Sequence, residues 1–173
     1  MKKLKWFWLL AGAVILVLAD QFTKLLADTY LKNQQSIPVI KGVFELTYVE
    51  NRGAAFGMLQ NQRIFFLVLT VVAVAALMFL YSRIPAEKKF YPLSVTVIFL
   101  IAGAIGNMID RALNGYVIDF LYFKLIDFPV FNVADIYVTV SCFVLIFLLL
   151  FFYKEEDLDR IFPGKKKGGK AVE

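Results

Sequence analysis

Four long apolar stretches separate the connecting segments of this chain. They cover about residues 6–27, 64–81, 90–109 and 136–153. A helix of about 20 apolar residues crosses a hydrocarbon core of about 30 Å. Backbone polar groups in lipid need partners inside their own segment, so each stretch is predicted to be a transmembrane helix. The first stretch lacks a small-x-small cleavage site and is interpreted as a retained span, not a signal peptide.

The connecting segments differ in length and character. The segment between the first two spans is long and contains Val43–Val49, which is rich in β-formers and predicts one or two short strands. Residues 82–89 form a short loop, and residues 110–135 form a second long one. The fold class is therefore an all-α membrane protein with four transmembrane helices, in which residues 1–153 form one membrane domain. The charged tail, residues 154–173, is expected to be cytoplasmic and disordered.

Lysine and arginine are distributed unequally between the two sides of the predicted bundle. With four spans, both termini lie on the same side. That side carries twelve basic residues: Lys2, Lys3, Lys5, Arg83, Lys88, Lys89, Lys154, Arg160, Lys165, Lys166, Lys167 and Lys170. The opposite side carries six: Lys32, Lys41, Arg52, Arg63, Arg111 and Lys124. The positive-inside rule therefore predicts a multi-pass protein with both termini in the cytoplasm.

Composition narrows the possible chemistry. The chain is 60% hydrophobic with a mean hydropathy of +0.70, which is typical of membrane proteins. It has no histidine and one cysteine, Cys142. These counts exclude histidine-ligated metals, Ser-His-Asp triads, Cys-His dyads and an intrachain disulfide. Acid–base chemistry must use Asp, Glu, Lys or Tyr. The net charge of +5 follows the membrane topology and does not indicate a nucleic-acid partner.

Costly polar residues collect at the outer ends of the predicted spans. A carboxylate at the centre of a membrane helix costs about 2.5–3.5 kcal/mol on insertion scales, so such residues are usually paired or functional. Two pairs, Asn107 with Asp110 and Asn132 with Asp135, have the i,i+3 spacing that places both side chains on one helix face, the second pair if the fourth span starts early. The other members of this outer group are Asp20, Asn51 and Arg52.

Residues of the first and third spans also have structural interpretations. Asp20 and Lys24 are four residues apart, so they can form an ion pair without any direct role in chemistry. Asn107 can join helices by hydrogen bonding. Asp110 stands beside Arg111 and can form an ion pair with it at the helix end.

The carboxylates of the second outer loop are equally open to interpretation. Asp119 interrupts an apolar, strand-like stretch and is either an exposed loop charge or part of a site. Asp135 can simply favour the positive N-terminal end of the fourth span. Asp28 and Asp127 lack apolar neighbours and are expected to be solvated loop residues.

Five short segments, in order, resemble the motifs of the lipoprotein signal peptidase family. They are Asp20–Lys24, Asn51–Gly57, Gly103–Arg111, Val117–Phe120 and Phe131–Asp135. The resemblance extends over about residues 6–153, and the sequence follows the family pattern at every motif position.

This resemblance implies a catalytic dyad of Asp119 and Asp135. Residues that it implies around the dyad, as support or substrate contacts, are Asp20, Lys24, Asn51, Arg52, Gly53, Asn107, Asp110, Arg111, Asn132 and Ala134. It also implies a small extracytoplasmic β-cradle over about residues 37–58, formed by the long outer loop. No cofactor or metal is implied.

The same resemblance implies a bacterial inner-membrane protease with its active site at the outer face. Its substrate would be a prolipoprotein whose cysteine carries diacylglycerol, cleaved just before that cysteine. Membrane lipids and globomycin-type inhibitors would be its other partners, and one chain would suffice as a monomer.

An aspartate dyad fits a chain without histidine. Two carboxylates held close share one proton, so the ionised member can activate water while the protonated member donates to the scissile carbonyl. We expect Asn107 and Asn132 to orient the carboxylates, and Arg52 or Arg111 to contact the substrate backbone.

Two other function classes remain as alternatives. One is an ion- or proton-coupled transporter that uses Asp20, Asp110, Asp119 and Asp135 as a relay. A relay should place ionisable groups through the membrane depth, whereas here they collect at one face. The other is a non-enzymatic assembly subunit, which gives no reason for the clustered outer carboxylates.

Overall fold

The computed structural model describes residues 2–53 and 58–163. The second half of the Asn51–Gly57 motif and the last ten residues of the tail lie outside these ranges. Within the described residues, four helices are long and apolar enough to cross a membrane. They are α1 (Lys2–Tyr30), α2 (Arg63–Arg83), α3 (Tyr91–Leu113) and α4 (Val133–Phe147), and α4 continues as a π-helical turn at Leu148–Phe152. The four predicted spans are confirmed.

Each of the four helices extends beyond a predicted end, and α3 reaches Leu113, so Asp110 lies in that helix and not in a loop. The extensions of α1 and α4 involve polar side chains. Helix α1 runs three residues past position 27, so Asp28 lies in a helix and not in a loop. It pairs with Lys32 and accepts a hydrogen bond from the Tyr48 hydroxyl. Helix α4 begins at Val133, three residues before the predicted start, because Asn132 caps it. Polar side chains at helix ends therefore lengthen both spans beyond their apolar stretches.

Helix α3 is the centre of the bundle and packs against each of the other three spans. Half of the residues in its most apolar window are buried, whereas almost none of those in the corresponding window of α2 are buried. The exposed side chains of α2 are nearly all apolar, including Val68, Val72 and Phe79. Such a surface fits lipid and not water, since a protein in water rarely exposes a large contiguous apolar patch.

Two glycines of α3 allow close contact with the start of α4 and with α1. A Cβ atom at Gly103 would lie 2.6 Å from the Ala134 carbonyl oxygen. A Cβ atom at Gly106 would lie 2.5 Å from Asp20 Oδ2. Small residues let membrane helices approach closely, and here they also leave room for a carboxylate between two helices.

A three-stranded antiparallel sheet joins the two outer loops. Its order is β1 (Ile37–Ile40), β2 (Phe44–Asn51) and β3 (Val117–Tyr122). The expected β-structure of the first outer loop is present as β1 and β2. The strand-like stretch around Asp119 is β3, and it pairs with β2 so that Val49 lies opposite Asp119. The pairing fixes Asp119 to the first outer loop.

Two apolar clusters lie on either side of a polar layer along the helices. One cluster contains Leu9 and Ala13 of α1 together with Val97 and Ile101 of α3. The other contains Ala27 and Leu31 of α1 together with Ile118 and Phe120 of β3. Between these two levels of α1 lie Asp20 and Lys24, both fully buried. The polar groups are therefore enclosed by apolar packing on both sides.

The expectation of a disordered tail is wrong for its first part. Glu155–Ile161 form a short helix, α5, in which Asp157 and Ile161 are buried. Asp157 pairs with Lys89, and Arg160 pairs with Glu87 in the loop between α2 and α3. Acidic residues fill the first turn of α5, where they favour the positive end of the helix. Residues 164–173 lie outside the described part of the chain.

Replacing Gly106 with alanine should destabilise the protein strongly, because the new methyl group overlaps the Asp20 carboxylate. The matched control is Gly12→Ala, whose Cβ would meet only the Ile98 side chain, 3.1 Å from its Cγ2 methyl group and with no backbone or carboxylate within reach. We expect a large fall in thermal unfolding temperature in detergent for the first variant and a small change for the second. Equal shifts would show that Asp20 does not need the space beside Gly106.

Candidate active site

The Lys24 ammonium group lies at the centre of the polar layer. Its Nζ is 2.9 Å from Asp20 Oδ2 and 3.0 Å from Asp110 Oδ2. It also donates a hydrogen bond of 2.8 Å to Asn107 Oδ1. Three donors thus meet three acceptors, which is the full capacity of a lysine. Asp20, Lys24 and Asp110 are all buried, so this charge cluster is shielded from water.

The two carboxylates paired with Lys24 each hold a backbone amide of another segment. Asp20 Oδ1 accepts from the Ala134 N–H at 2.9 Å, and Asp110 Oδ2 accepts from the Ile118 N–H at 3.1 Å. Ala134 and Ile118 directly precede Asp135 and Asp119. Each proposed catalytic aspartate is therefore preceded by a residue tied to the same lysine. Asp110 pairs with Lys24 and not with Arg111, so the predicted ion pair with Arg111 is wrong.

Asn132 connects the start of α4 to both aspartates. Its side chain accepts from the Asp135 N–H at 3.0 Å, while Asp135 Oδ2 accepts from the Asn132 N–H at 3.1 Å, forming a capping box. The two amide hydrogens of Asn132 are donated to Asp119 Oδ1 at 2.6 Å and to Asn107 Oδ1 at 3.1 Å. Every polar atom of this buried side chain is thus in use.

Asn107 completes the connection to Asp135. Its Oδ1 accepts from Lys24 and Asn132, and its Nδ2 donates to Asp135 Oδ1 at 2.8 Å. Lysine has no acceptor, so the oxygen of Asn107 must face Lys24 and the amide hydrogens must face Asp135. The orientation of Asn107 is therefore fixed by a charge on another helix.

Asp119 is almost fully buried and accepts from two amide groups. Asn51 Nδ2 donates to Oδ2 at 2.8 Å, and Asn132 Nδ2 donates to Oδ1 at 2.6 Å. Burial, and next the nearby Asp135 carboxylate, raise the pKa of Asp119 to about 7. The two amide donors oppose this shift without cancelling it. Asp119 can therefore hold a proton near neutral pH.

Arg111 and Asn51 both bind the backbone of Gly53, which follows β2. The Arg111 guanidinium donates to the Gly53 carbonyl at 3.0 Å and lies 4.6 Å from the centre of the Phe66 ring. Asn51 Oδ1 accepts from the Gly53 N–H at 2.9 Å. A Cβ atom at Gly53 would lie 2.4 Å from the Met58 carbonyl oxygen, so only glycine fits there.

Asp119 and Asp135 line one cavity of about 480 Å³. Asn51 and Arg111 line the same cavity, so its polar part is small and contains opposite charges. The remaining lining is mostly apolar: Phe128, Pro129, Val130, Phe131, Ile136, Thr139 and Val140. A mostly apolar cavity with a few converging polar groups is the usual form of a ligand site.

The structure brings together all but one of the residues proposed from the sequence. The exception is Arg52, whose half-exposed side chain pairs with Glu50 and lies over the Tyr116 ring. It is not among the residues that line the cavity, so of the two candidate arginines only Arg111 is positioned to meet a substrate. Asp127 is exposed, as expected, and accepts from the Tyr122 hydroxyl.

Sequence reasoning missed Gln21. Its amide nitrogen donates to Asp110 Oδ1 at 2.9 Å and to the Gly106 carbonyl at 3.2 Å. It lies within the first motif, but a glutamine next to an aspartate in a helix gives no signal of a hydrogen-bond partner on another helix. Among the described residues, no group of three or more His, Cys, Asp or Glu side chains is arranged to hold a metal.

This chain is similar in sequence to proteins of one known family. Residues 12–151 match the family described as Signal peptidase (SPase) II. The lipoprotein signal peptidase of Caldanaerobacter subterraneus subsp. tengcongensis is 52% identical over 136 residues, 78% of this chain and 90% of that protein. The one of Brevibacillus brevis is 48% identical over 141 residues, 82% of this chain and 92% of that protein.

Two solved structures, both described as bacterial membrane enzymes, share the fold. Each has a TM-score of 0.72. They are 31% and 34% identical in sequence, covering 95% and 84% of this chain and 94% of each solved chain.

Replacing Lys24 with methionine should be strongly destabilising, because two buried carboxylates lose their cation. Removing one partner of a buried ion pair costs about 3–5 kcal/mol. The control is Lys32→Met, whose pairs with Asp28 and Glu50 are screened by solvent and should contribute little to stability. Unfolding in detergent gives both values. A loss for Lys24→Met as small as for Lys32→Met would contradict the proposed centre of the cluster.

The stability of the protein should depend on pH through Asp119. Its pKa of about 7 in the folded state exceeds the ordinary value of 3.8, so the folded state keeps this proton more firmly than the unfolded state. Stability from this group is full below about pH 4 and is lost as the pH rises to about 7, by up to about 1.4 kcal/mol per pH unit. Asp119→Asn removes this dependence.

The measurement compares the pH slopes of the unfolding temperature of wild type and Asp119→Asn. Slopes are compared instead of absolute values because the new asparagine side chain faces two amide donors, Asn51 and Asn132. That mismatch lowers stability by an amount that does not change with pH. If the two slopes between pH 4 and 7 are equal, Asp119 does not carry the raised pKa.

Proposed function

We propose that this chain, which belongs to the signal peptidase II family, is an aspartic endopeptidase of diacylglyceryl-modified prolipoproteins. It is a multi-pass membrane protein and a peptidase, and its family cleaves signal peptides from prolipoproteins. We place the scissile bond just before the lipidated cysteine. Asp119 and Asp135 are the proposed catalytic pair.

One observation carries the aspartic mechanism: Asp119 and Asp135 line the same cavity and are joined through shared amide groups. Asn132 contacts Asp119 directly and Asp135 through its backbone, so the two carboxylates keep a fixed relation. Carboxylates close enough to share a proton provide an acid and a base without histidine.

In this mechanism Asp135 is the ionised member. It lies in the first turn of α4, where the helix dipole favours a negative charge. Its charge in turn favours the neutral form of Asp119, whose pKa is raised to about 7. Asp135 would accept a proton from water while the water oxygen attacks the scissile carbonyl carbon. The protonated Asp119 would donate a hydrogen bond to the carbonyl oxygen as negative charge develops there.

Collapse of the tetrahedral intermediate breaks the carbon–nitrogen bond. The proton held by Asp135 passes to the departing amine, and the signal peptide leaves with a new carboxyl group. The lipidated cysteine becomes the free amino terminus of the mature protein. Arg111 would orient the peptide backbone, since it lines the cavity and already binds the Gly53 carbonyl.

The apolar part of the cavity suits a substrate that remains in the membrane. Ile136, Thr139 and Val140 lie on one face of α4 and are exposed beside the cavity. A signal-peptide end or an acyl chain could lie along this face while the peptide bond reaches Asp119 and Asp135. Lipid-facing residues would then form part of the substrate site.

The expected setting follows from charge and membrane topology. We propose a bacterial inner membrane, with both termini in the cytoplasm and the cavity at the outer face, because basic residues favour the inner side. The described site is built from one chain, so a monomer would suffice. A globomycin-type cyclic peptide would compete for the same cavity.

Replacing either Asp119 or Asp135 with asparagine should abolish cleavage, because each loses its part of the proton transfer. We expect a fall in kcat of about a thousand-fold or more. The assay follows the gel shift of a diacylglyceryl-modified prolipoprotein in detergent or lipid. Wild type should be active in EDTA and inhibited by globomycin, and thermal unfolding confirms that each variant is folded.

The matched control is Asp127→Asn, an exposed aspartate of the same outer loop, which should keep near-normal activity. Near-normal turnover by a folded dyad variant would disprove the dyad while leaving the family activity intact. If the wild-type protein does not cleave the substrate, the proposed peptidase activity is wrong. Proton-flux assays would then test the alternative of a proton-coupled transporter.

A further inference from the structure

A cluster of exposed apolar side chains lies at one end of the sheet. It follows Tyr122, the last residue of β3, whereas the first residues of β3 are bound to α3. It consists of Phe123, Leu125, Ile126 and Phe128 of the second outer loop together with Ile40 of the β1–β2 hairpin, and is here named the apolar tip. Leu125 and Ile126 are 68% and 69% exposed. Two adjacent residues of this kind at a loop end are costly in water.

The apolar tip is a fixed structure. Lys124–Ile126 form a 3₁₀ turn, and the Leu125 N–H donates to the Val43 carbonyl in the hairpin turn. The Tyr122 hydroxyl donates to Asp127 Oδ1 at 2.6 Å, which supports the left-handed backbone of Asp127. Because both sides of the turn are held, the apolar side chains keep pointing outward.

Aromatic contacts link the apolar tip to the cavity. Phe44 of the hairpin lies 5.0 Å from Phe123, measured between ring centres. Phe123 stacks on Phe131 at 5.7 Å, and Phe131 also contacts Phe128 at 5.7 Å. Phe128 and Phe131 line the cavity beside the exposed face of α4. The apolar tip therefore continues the lipid-facing surface of a membrane span.

Its charges also suit a membrane surface. Lys41 is exposed in the hairpin turn, and Lys124 pairs with Glu45 at 2.7 Å while remaining half-exposed. Apolar side chains flanked by lysines are typical of segments that enter the headgroup region of a bilayer, where the lysines meet lipid phosphates.

We propose that the apolar tip inserts into the outer leaflet of the bilayer beside α4. The partner is the lipid surface itself, contacted by Leu125, Ile126 and Phe128. Insertion holds the Phe128–Phe131 wall of the cavity at the level of the lipid chains. A lipid-modified peptide can then enter from the bilayer without crossing water, a consequence that rests on the proposed function.

Spin labelling in vesicles of phosphatidylethanolamine and phosphatidylglycerol tests insertion. A label at Ile126→Cys, in a Cys142→Ser background, is compared with two references. The native Cys142 is exposed on α4 and reports the lipid environment. Gln35→Cys, in a polar and exposed part of the first outer loop, reports water.

We expect the label at position 126 to resemble that at Cys142, with high accessibility to oxygen and low accessibility to a nickel chelate. A nickel accessibility equal to that of position 35 would overturn the proposal. Protection from both reagents would also overturn it, because it would indicate a protein partner. None of these results depends on catalytic activity.

A second arm tests the consequence for the substrate. Leu125→Ser combined with Ile126→Ser should raise KM several-fold for a lipid-modified substrate in vesicles, with kcat unchanged. The control pair is Gln34→Ser with Gln35→Ser. If the label is inserted but KM is unchanged, the apolar tip enters the bilayer and the proposed route of substrate entry is wrong. An inactive wild type would instead count against the proposed function.

Discussion

The architecture depends on one buried cation. The Lys24 ammonium group lies between Asp20 and Asp110 and also contacts Asn107, so two of its three contacts, those with Asp110 and Asn107, join α1 to α3. Through those carboxylates it reaches the backbone at Ala134 and Ile118. Charges in a low-dielectric interior are stable only when paired and fully hydrogen-bonded. Meeting this requirement is what places the two aspartates of α4 and β3 beside each other.

The polar layer is also rigid, because all of its hydrogen-bonding groups have partners. Asn132 and Asn107 spend their amide groups on fixed partners, and the orientation of Asn107 follows from the charge of Lys24. Among the described residues, no buried side-chain nitrogen or oxygen lacks a hydrogen-bond partner. A network without spare partners cannot easily rearrange, so the proposed dyad is preorganised before a substrate arrives.

The sequence predicted the elements better than the contacts. Apolar length gave four spans, and β-formers gave the hairpin, because both signals are local. The Asp110–Arg111 pair was wrong because neighbours in sequence at a helix end point in different directions, while Lys24 on another helix can reach. The tail helix was not predicted because its stability depends on tertiary contacts that the local sequence does not show. Asp157 and Ile161 are buried against the rest of the fold. Arg52 lies in a motif, yet it follows the last residue of β2 and its side chain pairs with Glu50, outside the cavity lining.

The peripheral position of α2 has a consequence for how the protein fits different membranes. Helices α1, α3 and α4 are bound together by the Lys24 cluster, whereas α2 has no residue in it. Its 21 residues span about 31 Å, close to an average hydrocarbon thickness. In a thinner bilayer a change in the tilt of α2 does not act directly on the Lys24 cluster, because the hydrogen bonds of α2 to other helices lie at its ends: Arg63 with the Ala112 carbonyl of α3 and Tyr81 with Lys5 of α1. Hydrophobic mismatch would thus be absorbed by one helix, and the depth of the two aspartates relative to each other would not change.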